Sequence, residues 1–139
     1  MKKKRVIIGI DVSKATLDVF IHGFNHYFAV ENGPQGFSAL LETAIKMAGC
    51  KKEDLFFCFE NTGKYSRMLS VFLHTQSIAF AMEPALKIKK SLGITRGKSD
   101  KVDSRRIALY AYEKRESLTP TALPGGAIDQ IKSLLSLRE

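Results

Sequence analysis

Val6-Ile7-Ile8-Gly9-Ile10-Asp11-Val12-Ser13-Lys14 is an apolar run that carries a single acid, Asp11, near its end. Such a run reads as a strand buried on both faces, and a carboxylate at its carboxyl end lies at the mouth of a sheet rather than in its core. Open α/β sheets bind ligands at that edge. Counting by twos, Gly9 and Asp11 share one face while Ile8, Ile10 and Val12 share the other, so the smallest side chain stands directly behind the acid. The groups that meet Asp11 must come from elsewhere in the chain.

Working outward, residues 17–21 alternate as a second strand joined to the first by the turn around Ser13-Lys14-Ala15, and residues 26–31 form a third after Gly23-Phe24-Asn25. Three antiparallel strands therefore precede any helix. Asn32-Gly33-Pro34 stops the sheet. Phe37, Leu40, Leu41, Ala44, Ile45 and Ala48 then repeat at helical spacing, with Gly49 as the stop. Residues 54–59 repeat the opening pattern, an apolar strand ending in an acid, Glu60. Phe56, Cys58 and Glu60 share a face as Gly9 and Asp11 do, so a parallel arrangement of the two strands sets two carboxylates side by side. After Asn61-Thr62-Gly63, a second helix buries Tyr65, Met68, Leu69, Phe72 and Leu73, and a fifth strand over 77–82 stops before Glu83-Pro84.

A short basic helix over 84–92 and a glycine-containing loop over 93–97 lead to Ser99, the expected N-cap of a helix over 100–116. Asp100 and Asp103 fall on one face of it, in line with Ile107 and Tyr110. Acids favour a helix's first turn for electrostatic reasons alone, which accounts for Asp100 better than for Asp103 on the packing face. Residues 117–126, with Pro120, Pro124 and two glycines, read as a linker, and Ile128, Ile131, Leu134 and Leu135 open an amphipathic helix. The expected organisation is one domain over 1–116, followed over 117–139 by a linker and the start of a truncated helix leading to a missing C-terminal domain.

With 139 residues, 45% of them hydrophobic and 26% charged, the chain can bury one proper core. No apolar run reaches the roughly 18 residues that would span a bilayer, and the Lys2-Lys3-Lys4-Arg5 start leads into a stretch better read as a strand than as a signal peptide, so a cytoplasmic location without membrane partners is expected. Cys50 and Cys58 lack metal-type spacing and read as buried reduced thiols. Much of the net charge of +8 sits in two places, residues 2–5 and the segment between residues 87 and 106. The latter holds Lys87, Lys89, Lys90, Arg96, Lys98, Lys101, Arg105 and Arg106 against only Asp100 and Asp103. A solvated helix surface is the plainer alternative, but a basic cluster enclosing two acids suits a polyanion held over a metal site. With no aromatic residue interleaved in that segment, contact with sugar-phosphate backbone rather than bases is expected.

The order of elements is that of the ribonuclease H-like fold, an α/β architecture with a mixed five-stranded sheet, three antiparallel strands first and helices on both faces. Three blocks carry a closer resemblance: Gly9-Ile10-Asp11-Val12-Ser13-Lys14 with Leu17-Asp18-Val19, Glu60-Asn61-Thr62-Gly63-Lys64-Tyr65, and Lys98-Ser99-Asp100-Lys101-Val102-Asp103-Ser104. In this order they resemble the amino-terminal RuvC-like domain of DEDD transposases of the insertion-sequence-110 and Piv invertase type. The resemblance implies a catalytic and metal-binding tetrad of Asp11, Glu60, Asp100 and Asp103 that holds Mg²⁺ or Mn²⁺ for DNA cleavage and strand transfer. It further implies a serine nucleophile in the missing second domain, a structured element-encoded RNA as partner beside DNA, and a homo-oligomer in the full-length form. Charge repulsion supports the metal independently, since four carboxylates converging on one edge are costly unless cations neutralise them, and hard oxygen ligands suit these ions.

Lys87, Lys89, Lys90, Arg96, Lys98, Lys101 and Arg105 are the expected nucleic-acid contacts. Asp18 is a fifth acid near a turn, where an Asp more often caps or solvates than ligates. His22, His26 and His74 follow no ligand or triad spacing. Two other readings stay open: a non-catalytic nucleic-acid-binding module of the same fold, and an actin-like ATPase fragment, which shares the opening hairpin but needs glycine-rich phosphate loops that the sequence lacks.

Overall fold

The computed structural model describes residues 5–84 and 100–121. Strands β1 (Val6–Val12), β2 (Thr16–Ile21) and β3 (His26–Glu31) form an antiparallel meander, and β4 (Leu55–Glu60) and β5 (Ala79–Glu83) extend the sheet from the other side of β1 as parallel strands. The spatial order is β3-β2-β1-β4-β5. Helices α1 (Pro34–Ala48) and α2 (Lys64–Thr75) cover one face of the sheet, and α3 (Asp100–Glu113) covers the other. This is the ribonuclease H-like α/β arrangement expected from the sequence, with helices on both faces.

Local chemistry sets each turn. The Ser13 N–H donates to the Thr16 carbonyl at 2.9 Å, leaving Lys14 and Ala15 as a two-residue hairpin tip. Helix α1 starts on Pro34, whose missing N–H costs nothing in a first turn, and ends at Gly49, whose φ of 62° lets its N–H return to the Ile45 carbonyl. The stripes of α1 and α2, including Phe37, Leu40, Ala44, Leu69 and Leu73, bury against Ile8, Ile10, Val12, Phe57, Phe59 and Phe80.

The opposite face mixes large side chains with small ones. Ile107, Tyr110 and Ala111 of α3 lie against Ile7, Phe56, Cys58 and Ala81. Gly9 is the point of closest approach, because a β-carbon added there would stand 2.5 Å from the Ser104 carbonyl oxygen and would overlap the Ala108 backbone. The helix therefore rests backbone to backbone on β1, and only glycine fits under it. Because Ser104 reaches Gly9 while residues 107, 110 and 111 pack with Ile7, α3 runs antiparallel to β1, and its first turn points toward the Asp11 end of the strand.

Several boundaries differ from those expected. Strand β4 begins at Leu55, because Asp54 closes a single 3₁₀ turn over Lys52–Asp54 and accepts the Lys51 N–H. Strand β5 begins at Ala79, since Ser77 adopts a left-handed φ of 59° in leaving α2, and it continues through Glu83 rather than stopping at Met82. Helix α3 stops at Glu113 rather than at 116; the turn after it sends Leu118 into the core beneath the helix. The stretch expected to open a linker then docks on β5. Thr121 N–H donates to the Phe80 carbonyl at 2.8 Å, and Thr121 Oγ1 accepts the Met82 N–H at 2.9 Å, so part of the sheet's free edge is covered. The basic helix, glycine loop and Ser99 cap expected over 84–99 lie outside the described residues beyond Pro84, as does the amphipathic helix expected from Ile128. No helix among the described residues is long and apolar enough to cross a membrane.

Replacing Gly9 by alanine must push α3 off the sheet. Gly9→Ala is expected to destabilise the domain by about 3 kcal/mol, the upper end of overpacking costs, as read from the urea midpoint. A value within error of wild type would show that the helix does not bear on Gly9.

Candidate functional site

Strand register turns two expected carboxylates into a longer acidic row. Ile10 pairs with Phe59 across the parallel β1–β4 ladder, so Asp11 and Glu60 come next, side by side at the carboxyl ends of their strands. Asp18 of β2 is the antiparallel partner of Asp11, and Glu83 of β5 is the parallel partner of Glu60. Asp18, Asp11, Glu60 and Glu83 thus cross four adjacent strands in one row on the α3 face of the sheet. Alternation from the Ser13–Thr16 bond makes Asp11 and Asp18 a hydrogen-bonded pair, with Cα atoms about 5.5 Å apart.

A tyrosine holds each end of the row. Tyr27 of β3 donates its hydroxyl to Asp18 Oδ1, and Tyr110 of α3 donates to Glu83 Oε1 at 2.8 Å. Asp18 is only 4% exposed and Tyr110 only 1%. Tyr110 springs from the part of α3 that lies over Ile7, and its side chain leans back toward the helix N-terminus, which carries the hydroxyl to the sheet edge. Burial, the hydrogen bond to Glu83 and that residue's charge raise its ionisation above the usual tyrosine range. Behind the inner acids, the Cys58 thiol is pushed up to about 12, chiefly by burial and then by the charges of Glu83 and Glu60. Two carboxylates thus act electrostatically on a single buried group at this edge.

The loops at this end are tied together. Asn32 Nδ2 donates to the Ser13 carbonyl at 2.8 Å and to the Tyr65 carbonyl at 2.9 Å, joining the β1–β2 hairpin to the start of α2. Asn61 N–H donates to the Glu83 carbonyl at 2.9 Å, and Asn61 Oδ1 accepts the Gly63 N–H. Thr62 Oγ1, two residues beyond Glu60, is enclosed without a hydrogen-bond partner among the described residues.

Of the four acids expected to act together, Asp11 and Glu60 are neighbours, while Asp100 and Asp103 lie in the first turn of α3. Asp103 is half-buried and directly precedes Ser104, the residue that touches Gly9. Among the described residues, no group of three or more His, Cys, Asp or Glu side chains is arranged to hold a metal ion. Of the expected nucleic-acid contacts, Arg105 is exposed on α3 and Lys101 belongs to the same helix, whereas Lys87, Lys89, Lys90, Arg96 and Lys98 lie outside the described residues. Sequence reasoning missed Glu83 by ending β5 one residue early, although β5 repeats the apolar-run-then-acid pattern of β1 and β4. The place of Asp18 was available from the two-residue hairpin, which fixes it opposite Asp11. The tyrosine partners come from distant segments and leave no local signal.

A family model described as a transposase, of the DEDD, insertion-sequence-110 type, matches residues 8–139. No curated protein matches the chain by sequence. Among solved structures, the chain is similar to T. thermophilus RuvC in complex with a Holliday junction substrate, at 12% identity and a TM-score of 0.54, over 86% of this chain and 99% of that one. At that identity the likeness concerns the fold.

The buried thiol gives the edge a pH signature. Cys58 ordinarily ionises at 9.0 but in the fold keeps its proton to about 12, so across that window the folded state binds more protons than the unfolded state and stability falls as pH rises. Between about pH 8 and about pH 10.5, unfolding free energy should drop by about 2 kcal/mol more in wild type than in Cys58→Ala, measured by urea denaturation. Equal slopes for the two proteins would remove Cys58 from the account.

Proposed function

The chain belongs to the transposase family of the DEDD, insertion-sequence-110 type, and on that premise we propose that its acidic sheet edge binds divalent metal for cleavage and strand transfer of DNA. The observation that carries this reading is the placement of Asp11 and Glu60 side by side on parallel strands, with α3 docked so that its first turn, bearing Asp100 and Asp103, faces their end of the sheet. The donor set fits a hard cation, since every proposed ligand is a carboxylate. Mg²⁺, or Mn²⁺ in its place, is the assigned ion, with Asp11, Glu60, Asp100 and Asp103 as its ligands.

When bound, such an ion polarises a scissile phosphate and neutralises charge that develops on the attacking and leaving oxygens. The chain's own residues supply the frame. Asp11 and Glu60 are fixed by the β1–β4 ladder, and Gly9 sets the height of α3 above them. Tyr27 and Tyr110 hold the outer acids Asp18 and Glu83 in hydrogen bonds, which suits those two to support rather than ligation. Arg105 and Lys101, with Lys87, Lys89, Lys90, Arg96 and Lys98, are assigned to sugar-phosphate backbone. The polyanion is DNA in this reading, in keeping with the transposase family and with the Holliday junction bound by the structural neighbour. A structured RNA and a second copy of the protein are the further partners proposed from the family resemblance. The serine nucleophile is assigned to a second domain, and neither Ser13 nor Ser104 takes that role: Ser13 Oγ is engaged with Thr16, and Ser104 is fully buried.

Metal binding is tested by thermal unfolding in EDTA and in Mn²⁺. Mn²⁺ at a hundredfold excess over its Kd should add about 2.7 kcal/mol to the stability of the wild-type chain. Asp11→Asn should lose that increment, whereas Glu83→Gln should keep it. An equal Mn²⁺ response in wild type and Asp11→Asn would overturn the metal assignment.

A further inference from the structure

Gly9 fixes how high α3 stands above the sheet, but height alone does not fix the roll of the helix about its own axis. Three of the five side chains that α3 buries among the described residues, Ser104, Ala108 and Ala111, are small, so interdigitation resists such a roll only weakly. The hydrogen bond from Tyr110 to Glu83 is directional where those contacts are not. Both of its ends are firm. The Tyr110 ring is packed with Ile7, Phe56 and Ala81, the Glu83 carbonyl accepts the Asn61 N–H at 2.9 Å, and the preceding residue, Met82, is held by Thr121.

Glu83 is also the ladder partner of Glu60, so the bond refers the roll of α3 to the strand end beside Glu60. Asp103 precedes Tyr110 by seven residues, close to two full turns, and the two therefore leave the same side of the helix. For a group about 6 Å from a helix axis, a roll of about 10° is a displacement of about 1 Å. Mg²⁺ demands near-ideal geometry at about 2.0–2.1 Å, and a shift of that size takes a ligand out of reach. We propose that Tyr110 is a positioning residue, which through its hydrogen bond to Glu83 sets the roll of α3 and thereby the place of Asp103 relative to Glu60 and Asp11. The inference rests on the metal reading given above, and it gives the reason that a tyrosine stands at a buried position where packing alone would accept phenylalanine. The bond from Tyr27 to Asp18 has no such leverage, because it joins two strands whose register the β2–β3 ladder already fixes.

The test is the Mn²⁺ affinity of the 139-residue chain, read by electron paramagnetic resonance of the free ion, with the urea midpoint in EDTA measured beside it. Tyr110→Phe removes only the hydroxyl and should raise the Mn²⁺ Kd about tenfold, the lower end of what the loss of an orienting partner costs a metal site. Glu83→Gln keeps an oxygen that can accept from the hydroxyl and should stay nearer wild type than Glu83→Ala. The Tyr110→Phe/Glu83→Ala double variant should bind no more weakly than Glu83→Ala alone, since either change already breaks the one bond. Leu40→Ala, in α1 on the other face of the sheet, should lower the urea midpoint without moving the Kd, which separates loss of position from loss of stability. A wild-type Kd in Tyr110→Phe would overturn the inference and leave the metal reading standing, as would losses that multiply in the double variant or a Kd shift in Leu40→Ala equal to that in Tyr110→Phe. A wild-type chain that takes up no Mn²⁺ would overturn the metal reading and this inference with it.

Discussion

The contact of α3 with Gly9 is the constraint on which the rest of the arrangement depends. A helix ordinarily stands away from a sheet by the length of two layers of side chains, but here the Ser104 carbonyl and the Ala108 backbone come down onto β1 because the strand offers no β-carbon. That approach sets the height of the helix. It also decides which side chains fit around it, and Cys58 and Ala81 continue the row of small groups across β4 and β5. On the opposite face Phe57, Phe59 and Phe80 fill the space beneath α1 and α2.

With the helix so low, the carboxyl ends of β1, β4 and β5 and the start of β2 bring their acids into one row, which is electrostatically unfavourable unless the charges are met. The ends and the middle meet it differently. Asp18 and Glu83 are each given a tyrosine hydroxyl, a donor that satisfies a carboxylate without adding a positive charge. The two central acids sit where neighbouring strands add their fields together, and the high ionisation of Cys58 registers part of that potential. Concentrating acids at one edge costs stability, the kind of local cost a fold carries where it is not optimised for stability alone.

Much of this was legible in the sequence because it is written in short-range patterns. An apolar strand ending in an acid occurs at Asp11 and again at Glu60, and period-two counting puts both on the face that also carries Gly9. The meander, the two helices after it and the crossing of the sheet by α3 follow from periodicity and turn chemistry. What was not legible depends on exact register or on contacts between distant segments. Glu83 was hidden by a one-residue error at the end of β5, a boundary set by its ladder pairing with Glu60 on β4 rather than by a local stop. Tyr110 reads as a core position by its spacing, and so it is, but the use of its hydroxyl is set by where β5 ends. The stacking of His22 on Tyr112 joins residues ninety positions apart, and no local pattern announces it.

The docking of Thr121 between Phe80 and Met82 has a consequence for reach. The chain, having crossed the sheet along α3, is brought back and pinned one residue from Glu83, so its path onward departs from the acidic edge and not from the opposite end of the fold. Any group that follows in the chain is tethered from Thr121, so its effective concentration at the carboxylates is counted in residues from that point rather than from the far end of the domain. Loosening that one clamp, as Thr121→Ala does to the side-chain half of it, lengthens the tether by the residues back to Leu118.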